Sequence, residues 1–299
     1  MASLQEIKGR INSIKDTQKI TNAMYLISYT KLRRARMEWE RTKPYFDQLR
    51  GEMHQLLASD AELTHPAILK DGAAEPDGTW GCLVITADRG LAGAYNLNVI
   101  KETQKLLDAH PNTRLFILGS YGQHYFQNRG AAVETTGVSL NTNPRLSDAR
   151  NLAAQLLDPF MKGELTQLYL IYTDMKNRLS MEAVTERLLP IRQEQLPEPE
   201  SGESQTEYEC YPGAAAVLEA ILPSFAVGYL YSALVDSYCC EQNSRMTAMN
   251  AANDNAEEML HALSIQFNRV RQTNITQEIT EVSSGARAQK RKREQEETA

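Results

Sequence analysis

The chain has 299 residues, 42% apolar and 23% charged. That excludes wholesale disorder and leaves room for one large domain or two ordinary ones. A net charge of -6 and a mean hydropathy of -0.46 argue against a general nucleic-acid coat and an integral membrane protein.

Helix breakers are segregated along the chain. All 11 prolines lie between Pro44 and Pro223, and glycine is nearly absent from both ends. Charge is segregated too. Residues 1–43 carry ten Lys/Arg against four Asp/Glu, so this basic segment wants an acidic partner surface. At its start, Ser3 and Glu6 fit a capping box. Leu4, Ile7, Ile11 and Ile14 then recur at spacings of three and four, the narrow stripe of a coiled-coil seam. Ile20, Met24 and Ile27 continue it on a shifted face. The pattern predicts a helix to Pro44, a kink there, and continuation to about Leu57.

Residues 59–77 read as a linker. The period then changes, and residues 78–200 read as an α/β domain with a largely parallel sheet. Strands are predicted at Cys82–Thr86, Leu115–Leu118 and Leu168–Tyr172, with an edge strand at Met181–Pro190. Helices are predicted at Asn98–His110, Gly122–Asn128 and Ser147–Gly163, the last capped by Ser147. Residues 193–209 are acidic and Pro-containing, and 201–211 read as a second linker. The apolar stretch 214–235 contains Glu219, Pro223 and Gly228, so a packed helix is expected rather than a membrane span.

No Gly or Pro occurs from Tyr229 to Ser284. One helix over those residues would be about 84 Å long. Met249, Ala252, Ala256, Met259, Leu263, Phe267 and Val270 form a second narrow seam, sized for one partner helix. The N-terminal helix, packed antiparallel, is the expected partner. The C-terminal helix is the longer of the two. Its end should protrude, and a lone helix has little packing to hold it in water. Another protein must surround it. Residues 272–279 (QTNITQEI) place β-branched and amide side chains where better helix formers are available. Hydrogen bonds to an enclosing partner would explain that choice, and so would fraying in solvent.

Candidate chemistry is sparse. Thr86 to Tyr95 (TADRGLAGAY) follows the first strand, where glycines cradle a phosphate or make a tight turn; the spacing is G-x-x-G and no P-loop lysine follows. His54, His65, His110, His124 and His261 have no serine, cysteine or metal-ligand pattern around them, and the four cysteines form no CxxC pair. No catalytic, cofactor or metal site is read from the sequence. Three readings stand on the residues: a helical shaft enclosed by another protein, a nucleotide-binding α/β enzyme with a coiled-coil arm, and a coiled-coil tether or nucleic-acid binder.

Three segments carry a resemblance. MASLQEIKGRINSIKDTQKITNAM with TKLRRA, TADRGLAGAYN, and NRVRQTNITQEITEVSSGA resemble, in order and spacing, the gamma-subunit family of the F-type ATP synthase, from Met1 to about Ala288. The resemblance implies a non-catalytic central-stalk rotor with no cofactor or metal of its own. Its shaft of antiparallel helices (1–58 and 212–286) would sit in a ring of three alpha and three beta subunits. A Rossmann-like α/β foot would lie near the epsilon subunit and the membrane c-ring. Neither nucleic acid nor a small-molecule substrate is expected as a partner. The implied contacts with the alpha/beta ring are Met24, Lys31, Arg33, Arg34, Arg245, Gln272, Thr276 and Glu278. Residues 22–29 (NAMYLISY) lack two lysines of the family pattern, and residues 287–299 extend past its usual end as a charged tail, expected to be irregular. With no signal or transit peptide seen, the expected location is peripheral, on the cytoplasmic face of the plasma membrane if the source is bacterial.

Overall fold

The computed structural model describes residues 3–59, 64–70, 72–139, 143–175, 180–192, 196, 210–211 and 213–297, with side chains to Lys290. The acidic segment 193–209 therefore lies almost wholly outside the described residues. The elements run α1 (Leu4–Ser59), β1 (Trp80–Ile85), α2 (Tyr95–Ala109), β2 (Thr113–Leu118), α3 (Ser120–Gln127), β3 (Val133–Thr135), α4 (Leu146–Met161), β4 (Gln167–Met175), β5 (Met181–Leu189) and α5 (Ala214–Glu297). By contacts the chain divides into two units, residues 27–248 and residues 1–26 with 249–299.

The unit of residues 27–248 is built on a five-stranded sheet in the order β3-β2-β1-β4-β5. Its first four strands are parallel, and β5 runs antiparallel on β4 at the edge. Successive strand residues point to opposite faces, and both faces are apolar here. Cys82, Val84, Leu115 and Ile117 pack with Val99 and Ile100 of α2 and Phe126 of α3. Leu83, Ile85, Phe116 and Leu118 belong to a larger core with α4 and with parts of α1 and α5. Burial on both sides explains why these strands read as continuous apolar runs. Within this unit α1 and α5 run antiparallel. Trp39 and Phe46 meet Tyr231, and Arg50 lies over the Tyr229 ring. Gly228 permits that approach, because a Cβ there would collide with the Phe46 ring. The apolar stretch 214–235 is a packed helix, with Leu218, Leu222, Phe225, Leu230 and Leu234 buried.

The unit of residues 1–26 and 249–299 is a pair of helical segments. The Thr21 hydroxyl hydrogen-bonds the Asn253 carboxamide. Counting equal residues outward from that pair sets Gln18 level with Ala256, Ile14 with Leu260, Ile11 with Leu263, Ile7 with Phe267 and Leu4 with Val270. All ten are buried or half-buried. This is the 3.5-residue repeat of a two-helix seam. Every residue from Arg271 to Lys290 is exposed. The seam thus stops where α1 begins. The remainder of α5, to Glu297, would extend roughly 40 Å at about 1.5 Å per residue.

Several expectations are corrected by these elements. α1 is unbroken through Pro44; that proline is exposed, so the Glu40 carbonyl whose bond it removes faces water. Ile20 and Ile27 are exposed, so the seam of the smaller unit runs through Gln18 and Thr21 and not through Ile20. Leu260 takes the inward position assigned to Met259, which is exposed. Arg145, not Ser147, precedes the first turn of α4, and its N–H donates to Asp148 at 2.9 Å. Ser3 does cap α1, accepting from the Glu6 N–H at 3.2 Å, but the Glu6 carboxylate turns to Arg10. The tail continues as helix to Glu297. β3 carries no three-residue signal that sequence could separate from a loop.

Candidate functional site

The first candidate region is the loop after β1, where the glycine motif lies. Thr86 is fully buried; its hydroxyl donates to the Leu118 carbonyl at 2.8 Å and accepts from the Gly122 N–H at 3.0 Å. Gly119 must be glycine, since φ is +90° and a Cβ would strike the Thr86 carbonyl. The Asn96 side chain accepts from the Ala87 N–H at 2.8 Å. Asp88 accepts from the Ser120 N–H at 2.9 Å and the Ser139 hydroxyl at 3.0 Å. Leu91, exposed at the tip, sits at φ +62°, a costly conformation for a non-glycine residue. The motif makes a tight turn whose polar groups are spent on its own scaffold.

Arg245 holds the same turn from α5. Its guanidinium pairs with Glu241 at 2.7 Å and donates to the carbonyls of Arg89 and Gly90, each at 3.2 Å. Both members of the pair are buried. Burial pushes the Glu241 carboxyl above its ordinary value, and Arg245 opposes that rise. Arg245, which the resemblance implies as a contact with the ring, directs these donors inside the chain. Its Glu241 partner, one turn away, was legible as an i,i+4 acid–base pair; the loop carbonyls were not.

The second candidate region is the exposed part of α5. Gln272, Thr276 and Glu278 lie there, all exposed. The Thr276 hydroxyl donates to the Gln272 carbonyl at 2.9 Å, and Thr280 repeats the bond to Thr276 at 2.8 Å. At about 100° per residue, Gln272 and Thr276 share a face and Glu278 points away from it. Ile275, Ile279 and Val282 recur at i, i+4 and i+7 and are exposed by 47%, 64% and 73%. That is an apolar stripe without a partner among the described residues. Met24, half-buried on α1, is level with Asn250, some 22 residues or about 33 Å from Gln272 along the axis. The structure does not bring it to the Gln272–Thr276 face.

The remaining predicted contacts lie in the larger unit, on α1. Lys31 is half-buried, Arg33 is exposed, and Arg34 pairs with Glu38 at 3.1 Å on the surface. No described group of three His, Cys, Asp or Glu is placed to hold a metal ion.

A doubly covered α/β sheet, with two long antiparallel helices that end in an exposed apolar-striped segment, defines an α/β protein with a helical shaft. The ATP synthase family model matches residues 3–289. The chain is 38% identical over 294 residues to an ATP synthase gamma chain from Macrococcus caseolyticus, covering 96% of this chain and 99% of that one. A second gamma chain, from an Exiguobacterium species, is 38% identical over 292 residues, with 96% and 99% covered. Among solved structures, the central stalk and c-ring of the Tetrahymena thermophila mitochondrial ATP synthase matches with a TM-score of 0.60 at 21% identity, covering 78% of this chain and 99% of that one. An assembly of OSCP, F1 and c-ring from the Euglena gracilis mitochondrial ATP synthase matches with a TM-score of 0.65 at 14% identity, covering 95% and 94%. The chain belongs to the ATP synthase family, among its gamma chains, and its role is that of a central-stalk subunit in a membrane-associated complex.

Proposed function

We propose that this chain is the non-catalytic rotating shaft of its complex. The observation that carries the reading is the exposed end of α5, where Ile275, Ile279 and Val282 form an apolar stripe beside the Gln272–Thr276 face. A helix without seam partners needs an enclosing sleeve, and a ring of three alpha and three beta subunits supplies one. Gln272, Thr276 and Glu278 then make polar contacts with the ring. The basic segment of α1 (Lys31, Arg33 and Arg34) faces acidic surface on beta, with Met24 on the preceding turns. Arg245 sets the shape of the Gly90 turn, so its influence on the ring is exerted through that turn.

In this reading the shaft comprises residues 1–58 and 212–286, and the foot, residues 78–200, meets the epsilon subunit and the c-ring. The shaft works because it presents different side chains to each of three equivalent catalytic subunits. Differential contact energy shifts each one toward a different conformation, and rotation passes every site through each state. If the source is bacterial, the complex lies with this subunit peripheral on the cytoplasmic face. Reconstitution tests the reading. Mixed with alpha and beta subunits, the full chain is expected to co-purify in an ATPase-competent complex; failure to form one overturns it.

A further inference from the structure

The larger unit carries a cavity that the shaft role does not use. It lies between α1, α4 and α5 and has a volume of about 500 Å³. That falls in the range of small-molecule sites, roughly 300–1,000 Å³. Its floor is apolar, made by Phe46, Ala153 and Val227 with Leu146 and Leu157 beside them. Two guanidiniums, Arg41 from α1 and Arg150 from α4, line it from separate helices.

The charge arrangement selects the ligand. Both arginines are exposed, and among the described residues neither makes an ion pair, although acidic residues outnumber basic ones in this chain. Among the described residues no carboxylate lines the cavity, whose other polar groups are Thr42, Tyr45 and Ser224. Two uncompensated cations over an apolar floor repel a cationic amphiphile and offer a carboxylate bidentate hydrogen bonds. We infer that this cavity binds an anionic amphiphile, a single-chain carboxylate whose tail lies against Phe46 and Val227 and whose head is held by Arg41 and Arg150.

The site contains its own reporter. Trp39 stacks on Phe46, with centroids 6.3 Å apart and an interplanar angle of 17°. Trp80, the only other tryptophan, lies in β1. In the full chain carrying Trp80→Phe, Trp39 emission is therefore titrated with dodecanoate below its micellar range. Saturable change is expected with dodecanoate, and at least tenfold weaker response with dodecyltrimethylammonium, which has the same tail and the opposite charge. Arg41→Ala with Arg150→Ala should weaken dodecanoate at least tenfold. Ala154→Phe, at the exposed mouth, adds bulk without a second tryptophan and should block it while the circular dichroism spectrum is unchanged. Equal binding of both amphiphiles, or undiminished binding to either variant, overturns the inference, as does the absence of any saturable response.

Discussion

Two buried charges show how single residues set the working shape of the larger unit. Replacing Arg245 with Ala leaves Glu241 buried without its cation and removes the donors from the Arg89 and Gly90 carbonyls. Breaking a buried pair is costly, so the variant should lose about 3 kcal/mol in chemical denaturation. A double change to Met at 245 and Leu at 241 should restore most of it, because no charge is then stranded. Asp236 behaves differently. Burial, with Asp174 nearby, pushes its carboxyl up to about 6 from 3.8, although the Ser232 hydroxyl lies 3.4 Å away and opposes the rise. A carboxyl raised on folding binds its proton more tightly in the native state. Its contribution is therefore fully present below pH 3.8 and is lost as pH rises through 6. Asp236→Asn should remove that slope and raise stability at neutral pH by about 1–2 kcal/mol. Denaturation midpoints measured from pH 4 to pH 7 check both points. Arg245 was legible beside Glu241 but its loop contacts were not, and nothing in the sequence marked Asp236. Asp236 sits in a helical stretch, residues 229–284, with no Gly or Pro, and its environment is made by β4 and α1, far away in the chain.

At the scale of elements, the helices were more legible than their faces. The stretches without Gly or Pro, residues 10–43 and 229–284, foretold the greater part of α1 and α5, and the three–four spacing foretold a narrow seam. The exact inward set was harder. Thr21 and Gln18 are polar and lie on the seam, while Ile20 and Ile27 are apolar and lie off it. A pattern count rewards the isoleucines, but register follows from what the second helix offers opposite, and Asn253 offers Thr21 a partner. The sheet was legible because its strands are buried on both faces and so read as apolar runs; β3 is three residues long at an edge and has no such run. The exposed segment of α5 was legible by composition, since β-branched and amide residues are poor value in a solvated helix. Gln272 and Thr276 bury nothing in this chain, so changing both to Ala should move stability by no more than about 0.5 kcal/mol. ATP synthesis coupled to the ion gradient should fall severalfold in the assembled complex. Unchanged coupled activity in membrane vesicles would remove them from the contact set.

At the scale of the whole molecule, the same chain must be stable alone in one part and incomplete in another. The seam ends at Leu4 and Val270, and every described side chain from Arg271 onward is solvated. Surface segments without tertiary contacts contribute little to global unfolding. Deleting residues 271–299 should therefore leave the denaturation midpoint of the remaining chain nearly unchanged, within about 0.5 kcal/mol. The apolar stripe of Ile275, Ile279 and Val282 would be gone, and with it a surface that favours self-association. The truncated chain should be the less aggregation-prone of the two in light scattering. In the complex the order reverses. The deletion removes the contacts proposed to distinguish one catalytic subunit from the next, so ATP-driven ion pumping should fall by more than assembly does, measured as pumping per complex recovered. A truncated chain that pumps at the full rate per complex would place the coupling contacts below Val270 and leave the exposed helix as a passive bearing.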